Sequence, residues 1–187
     1  MLKIADHIFE IESYKFGPCV CIGQHGWHVS WTLEFYTASR DINGIDWKPQ
    51  ITPHCFSSLV SNLEDLNNLK IKLSDRDTQD NEPMFLLYVF EHEAVRDVEL
   101  SFGEWKNNEI DFTFSGISNV YASEEHNRNL PINIALKLKC KGVSVNEGEL
   151  DWAIKKFSKF FDLTKFQAPE SLGKGCGFIF RPLNENS

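Results

Sequence analysis

The chain has 187 residues, 42% of them apolar, 13% aromatic and 25% charged, with a formal net charge of −8 and a pI near 5.2. That length and apolar content suit one core, so a single domain over residues 1–187 is expected, and fifteen Phe with five Trp exclude a disordered chain. The acidic balance lacks the basic footprint of a nucleic-acid binder, and no apolar run approaches the roughly 18 to 20 residues that span a bilayer. Neither nucleic acid nor membrane is an expected partner.

The opening segment MLKIADHIFEIES has an acid at position 6 and lacks the apolar core of a secretory leader, and five scattered cysteines (Cys19, Cys21, Cys55, Cys140, Cys176) suit reduced thiols. Both features point to the cytoplasm. Short strands are expected over 7–12 and 16–22. A clearer one follows, because Trp27, Val29, Trp31, Leu33 and Phe35 alternate with His28, Ser30, Thr32, Glu34 and Tyr36. Asn43-Gly44 favours the positive φ of a tight hairpin. From Ser57 to Leu69 the spacing of Leu59, Leu63 and Leu66 predicts a short helix.

Residues 83–118 predict three adjacent strands. Phe85–Phe90 is a continuous apolar run, read as a central strand covered on both faces. Val98, Leu100 and Phe102, then Ile110, Phe112 and Phe114, alternate with polar residues across a Lys106-Asn107-Asn108 turn. Residues 119–131 read as an exposed polar loop. Ile132, Ile134, Leu136, Leu138 and Cys140 then mark a long strand whose outward lysines suit a place beside the acidic strands. A helix is predicted over Glu147–Phe161, capped by Asn146 and Glu149, with acids in its first turn, lysines in its last and an apolar stripe from Leu150 to Phe161. A last strand falls at Phe178–Phe180. Strands joined by short turns, with two helices, predict an α+β fold: a largely antiparallel twisted sheet with one long C-terminal helix and one shorter helix packed on it.

The acidity is concentrated. From Asp75 to Asp111 there are eleven acids against three bases, an excess equal to the net charge of the whole chain. Such a cluster suits a basic protein partner.

Several constellations raise the question of chemistry. Cys19, Cys21, His25 and His28 are metal-ligand types within ten residues, but their spacing fits no standard zinc finger, and two core thiols beside a polar turn are the favoured reading. His54-Cys55 pairs an imidazole with a thiol, though adjacent side chains on a strand diverge. Glu91-His92-Glu93 and Glu124-Glu125-His126 offer carboxylates with an imidazole, favoured as a solvated strand end and a solvated loop. Gly173-Lys174-Gly175 lacks the P-loop pattern. No cofactor, metal or catalytic residue is expected.

The strand WHVSWTLEFYT, the segment GIDWKPQIT, the strand INIALKLKCKGVSV and the helix ELDWAIKKFSKFF together resemble the immunity proteins of bacterial toxin systems, including contact-dependent inhibition. The resemblance implies a non-enzymatic module that binds a cognate toxin, commonly a basic nuclease. With the acidic cluster it makes Glu91, Glu93, Glu104, Glu124 and Glu125 the candidate partner-binding residues. The alternative is a small metal- or thiol-dependent hydrolase using His54, Cys55, His92 or His126.

Overall fold

The computed structural model describes residues 1–23, 26–53, 56–57, 60, 63–76, 81–122, 125–146 and 148–183. In chain order the strands are β1 (Leu2–Ile4), β2 (His7–Phe9), β3 (Ile11–Gly23), β4 (Gly26–Thr37), β5 (Arg40–Ile42), β6 (Ile45–Trp47), β7 (Gln50–Pro53) and β8 (Phe56–Ser57). They continue with β9 (Lys70–Lys72), β10 (Phe85–Tyr88), β11 (His92–Lys106), β12 (Glu109–Ala122), β13 (Glu125–Lys139), β14 (Val143–Val145), β15 (Glu170–Ser171) and β16 (Phe178–Phe180). One α-helix, α1 (Leu150–Phe157), lies among the described residues.

Twelve strands run side by side in the order β15-β16-β14-β3-β4-β7-β10-β11-β12-β13-β1-β2; β8 joins β4, β9 joins β11, and β5–β6 form a separate hairpin. Neighbours are antiparallel except β14 and β3, which are parallel. This sheet folds over on itself. β11 is the corner: its first residues pair with β10, from Phe85 opposite Val95 to Tyr88 opposite His92, and its later residues pair with β12 and β9. Register shifts between Arg96 and Glu99, with Asp97 at a φ of 50°, bend the strand where it changes layer.

The folding-over brings together rings from strands that share no ladder. Phe35 of β4 stacks on Phe112 of β12 with centroids 5.9 Å apart, Phe16 of β3 lies 6.4 Å from Phe102 of β11, and Phe102 in turn lies 5.1 Å from Phe112. These inward residues are the alternating apolar positions of β4, β11, β12 and β13. Two of the tight hairpins form where asparagine tolerates positive φ, at Asn43-Gly44 (55° and 80°) and Asn107-Asn108 (53° and 61°).

Strands dominate, and the α+β expectation of a long and a short helix packed on the sheet is corrected. The C-terminal helix covers Leu150–Phe157 rather than 147–161. Gly148 stands at a φ of 88°, outside the helical region, and Glu149 caps the helix without a side-chain bond. After Phe157 the turn tightens, with Lys159 N–H donating to Lys156 and Phe160 N–H to Phe157, so that Phe161 folds in 5.1 Å from Phe157. Trp152 meets Trp27 edge to face at 4.8 Å and Phe157 stacks on Phe180 at 3.9 Å, which seats the helix against β4 and β16.

The shorter helix expected over Ser57–Leu69 is reduced, within the described residues, to one 3₁₀ turn at Leu63–Leu66, and Ser57 belongs to β8. Leu63 and Leu66, three apart and buried, satisfy that turn's period, and Asn68 at a φ of 56° ends it. Two further expectations change. β10 is fully buried on one side only, at Phe85 and Leu87, with Leu86 and Tyr88 half-buried. The described residues within 119–131 are strand rather than loop: β12 and β13 stay paired out to Ala122 opposite Glu125, because ladder bonds need no apolar side chains.

Phe112, buried between Phe35 and Phe102, should contribute far more than its outward neighbours. Phe112→Ala is expected to cost about 3–5 kcal/mol in urea unfolding, whereas Lys137→Ala, which removes an exposed cross-strand ion pair, should cost no more than about 1 kcal/mol.

Candidate functional site

The acids that dominate the middle of the sequence are separated by the fold. On the outer face of the β11–β12–β13 layer, three of them meet lysines across strands: Glu99 with Lys72 at 3.9 Å, Asp111 with Lys137 at 3.5 Å and Glu109 with Lys139 at 4.0 Å. Asp111 and Lys137 are register partners, as are Glu109 and Lys139 and Glu99 and Lys72, so the pairing follows from strand order. Asp75 accepts the backbone N–H of Asp97 at 2.8 Å and so holds the corner of β11. The acids concentrated in the sequence therefore do not form a single negative sheet face.

The four candidate binding residues that are described fall at two ends. Glu91 lies in the turn before β11 and Glu93 near its start; Glu91 is exposed, Glu93 half-buried, and neither has a cationic partner among the described residues. Glu125 opens β13 opposite Ala122, and Glu124 lies outside the described residues. The Ser118 hydroxyl donates to the Ala94 carbonyl at 2.9 Å, which holds the first residues of β11 beside the β12–β13 hairpin. Glu91, Glu93 and Glu125 thus share one end of the molecule. Arg96 is close by, its guanidinium donating to Asn129 Oδ1 at 2.7 Å. Glu104 is exposed at the far end of β11.

Beside Glu104 opens a cleft of about 420 Å³, with Leu63, Trp105, Phe161 and Phe166 among its walls. Trp105 follows a register shift in β11, and its backbone N–H donates to Asn67 Oδ1 at 2.6 Å. The charged groups here already have partners in the chain. Lys165 pairs with Glu64 at 2.7 Å, and the Asp162 carboxylate accepts from the backbone N–H and hydroxyl of Thr164 at 2.9 and 2.7 Å. Those two bonds hold Asp162 below the usual carboxylate range. The cleft is an apolar recess with its polar rim internally satisfied, and nothing in it selects a charged ligand.

A third grouping lies on the outer face of β3 and β4. Cys21 is the cross-strand partner of His28 and Cys19 that of Ser30, so alternation puts both thiols and the imidazole on one face. Cys21 Sγ lies 3.5 Å from His28 Nε2, and His28 Nδ1 lies 3.3 Å from the Gly26 carbonyl. Hydrogen bonds to Cys19 from Cys21, from Ser144 and from the Asn146 backbone, with His28 nearby, outweigh burial and lower its thiol to about 6. The favoured reading of Cys19 and Cys21 as core thiols is corrected: both are half-buried on the outer face. The missed signal was the hairpin centre. Gly23 pairs with Gly26 and leaves two residues between, and that count alone puts Cys21 opposite His28.

The other candidates are not brought together among the described residues. His25, His54 and Cys55 lie outside the described residues, and the His92 ring packs 4.9 Å from Tyr88. Among the described residues no group of three or more His, Cys, Asp or Glu is placed to hold a metal ion, and no helix is long and apolar enough to cross a membrane. Comparison with protein-family models, with curated proteins and with solved structures returned no match.

Cys140 provides a contrast to Cys19. It is buried, its thiol donates to the Gly142 carbonyl at 3.6 Å, and burial pushes it up to about 11. At pH 8 it stays protonated in the folded protein. Iodoacetamide should therefore modify Cys140 no faster than unfolding exposes it, and mass spectrometry of a timed reaction with and without urea checks this.

Proposed function

We propose that the chain is a non-enzymatic, cytoplasmic binding module that neutralises a cognate protein toxin of basic, nuclease type. The observation that carries this is the contrast among the carboxylates. Those on the β11–β12–β13 face are matched by lysines, whereas Glu91 and Glu93 stand at one end of the molecule without a cationic partner among the described residues.

The contact surface in this reading is that end, made by the turn before β11 and by the β12–β13 hairpin that carries Glu124 and Glu125. The carboxylates of Glu91 and Glu93 there lower the energy of a basic partner as it approaches and disfavour acidic ones, which acts on the encounter rate and on partner choice more than on final affinity. Arg96 and Arg128 on neighbouring positions make the patch mixed in sign, so it selects a toxin face with a matching acidic spot rather than any cation. Glu104, at the opposite end of β11, falls outside this contact.

The first test is genetic. A gene for a large secreted toxin immediately upstream is the expected neighbour, and a metabolic operon in that place overturns the reading. With that toxin's C-terminal domain, stopped-flow association should slow about tenfold or more as salt rises from low to physiological, since exposed charges are screened over about 8–10 Å. Glu91→Gln with Glu93→Gln should remove much of that salt dependence, while Glu99→Gln with Asp111→Asn should leave it unchanged. An association rate indifferent to salt would sink the electrostatic part of the proposal.

A further inference from the structure

Where the chain crosses from the end of β13 to β14, it leaves a recess of about 240 Å³ beside β3. Two glycines set its floor. A Cβ on Gly17 would stand 2.9 Å from the Gly142 carbonyl oxygen, and one on Gly142 would stand 2.6 Å from that of Phe180, so the crossing segment lies closer to β3 and β16 than side chains at these positions would allow. The segment is tied on both sides of Cys140. The Tyr14 hydroxyl accepts the Lys139 N–H at 3.0 Å, and Arg181 Nη1 donates to the Lys141 carbonyl at 3.2 Å while Glu170 holds Nε and Nη2 at 3.1 and 3.0 Å. The recess is thus defined by backbone held in place.

The groups around the floor are donors. Thr32 is the cross-strand partner of Gly17, and Lys15 stands two residues before Gly17 on the same face, so both flank it; Lys139, Lys141 and Ser144 line the recess from the crossing segment and β14. No acid is among the described residues that line it. Lys15 meets Glu34 at 2.8 Å and Lys139 lies 4.0 Å from Glu109, but an ammonium has three protons to donate, so neither pair exhausts its lysine. Lys141 is exposed and has no ion pair among the described residues. With Glu34 and Glu109 set against Lys15 and Lys139, the cation of Lys141 is left over, on a chain whose net charge is −8. The Tyr14 hydroxyl, accepting from Lys139, keeps its own proton to donate.

We propose that this recess binds a phosphate dianion, free or as a phosphomonoester, among Lys15, Lys139 and Lys141, with the hydroxyls of Thr32, Ser144 and Tyr14 as neutral donors. A tetrahedral oxyanion offers acceptors in several directions at once and so suits donors that arrive from β3, from β4 and from the crossing segment, whereas a planar carboxylate engages fewer of them. Lysine serves phosphate as a compact point charge, and hydrogen bonds to an ionised acceptor are the strong ones. The acidity of the rest of the chain does not oppose this, because screening confines exposed charges to about 8–10 Å and the nearest charges are the lysines. A water takes about 30 Å³ of liquid volume, so a recess of about 240 Å³ has room beyond one phosphate group, and Pro18 and Ile179 border that room. The remaining space suits the small body of an ester.

The full chain is titrated with inorganic phosphate at an ionic strength held constant with sodium chloride, and its backbone amides are followed by proton–nitrogen NMR. The Gly17, Gly142 and Ser144 amides should shift together and saturate in the millimolar range. Lys141→Met, which keeps the apolar stem and removes the charge, should weaken binding about fivefold, and Thr32→Val about threefold. Lys72→Met, on a lysine that pairs with Glu99 on β11, should leave it unchanged. Amide shifts elsewhere that match the parent chain exclude a loss of fold in each variant. O-phosphoserine and serine separate the two sources of the anion: tighter binding of the phosphoamino acid than of phosphate assigns the site to a phosphomonoester, equal binding assigns it to free phosphate, and serine should not bind in either case. Shifts that grow with phosphate without saturating overturn the proposal, as do shifts that sodium chloride alone reproduces or an affinity that Lys141→Met leaves unchanged.

Discussion

Strand β11 must belong to two layers at once, and the rest of the molecule is arranged by that requirement. Its first residues pair with β10 and its later ones with β12 and β9, so a single chain segment carries the sheet around a corner. Asp97 makes the bend at a φ of 50°, and the Asp75 carboxylate receives its N–H, a bond that secures the bent backbone. Once the corner is made, the inward faces of β3 and β4 oppose those of β11 and β12, and Phe16, Phe35, Phe102 and Phe112 close on one another. Helix α1 then seats Trp152 on Trp27 and Phe157 on Phe180.

The corner also explains why the acidity of the middle stretch misleads when counted along the chain. Eleven acids in sequence become groups with different duties. Asp75 supports the bend, Glu99, Glu109 and Asp111 face lysines across the sheet, and Glu91 and Glu93 remain without a cation among the described residues. The outward lysines of the strand ending in Cys140 were legible as candidates for this pairing. Which acids they would meet depends on register, which alternation alone does not specify.

The long amphipathic strands were legible because period-two alternation and Asn-rich turns are local properties: β4, β11, β12 and β13 each show one or both. The fold class was not. A stripe from Leu150 to Phe161 matches a helical period, yet whether such a segment stays helical is decided by Gly148 before it and by Phe161 turning in toward Phe157 and Phe166 after it. Leu59, Leu63 and Leu66 likewise carry a helical spacing, of which one 3₁₀ turn is seen in the described residues. The β12–β13 arm failed in the opposite direction, since a polar composition was read as a loop while the ladder continued. Cys21 and His28 were noticed together, but as neighbours in sequence. Their contact comes from the hairpin centre, which converts seven residues of separation into one cross-strand pair.

The carboxylate end and the thiol–imidazole grouping on β3 and β4 are far enough apart to be judged separately. Glu93 is level with Leu87, Leu87 with Ile51, and Ile51 with Phe35, so the row of strands runs from Glu93 across to the far part of β4. His28 stands seven residues back along β4 from Phe35, a separation of about 23 Å at 3.3 Å per residue. A screened charge acts over about 8–10 Å, so the ionisation of Cys19 does not bear on how Glu91 and Glu93 attract a partner.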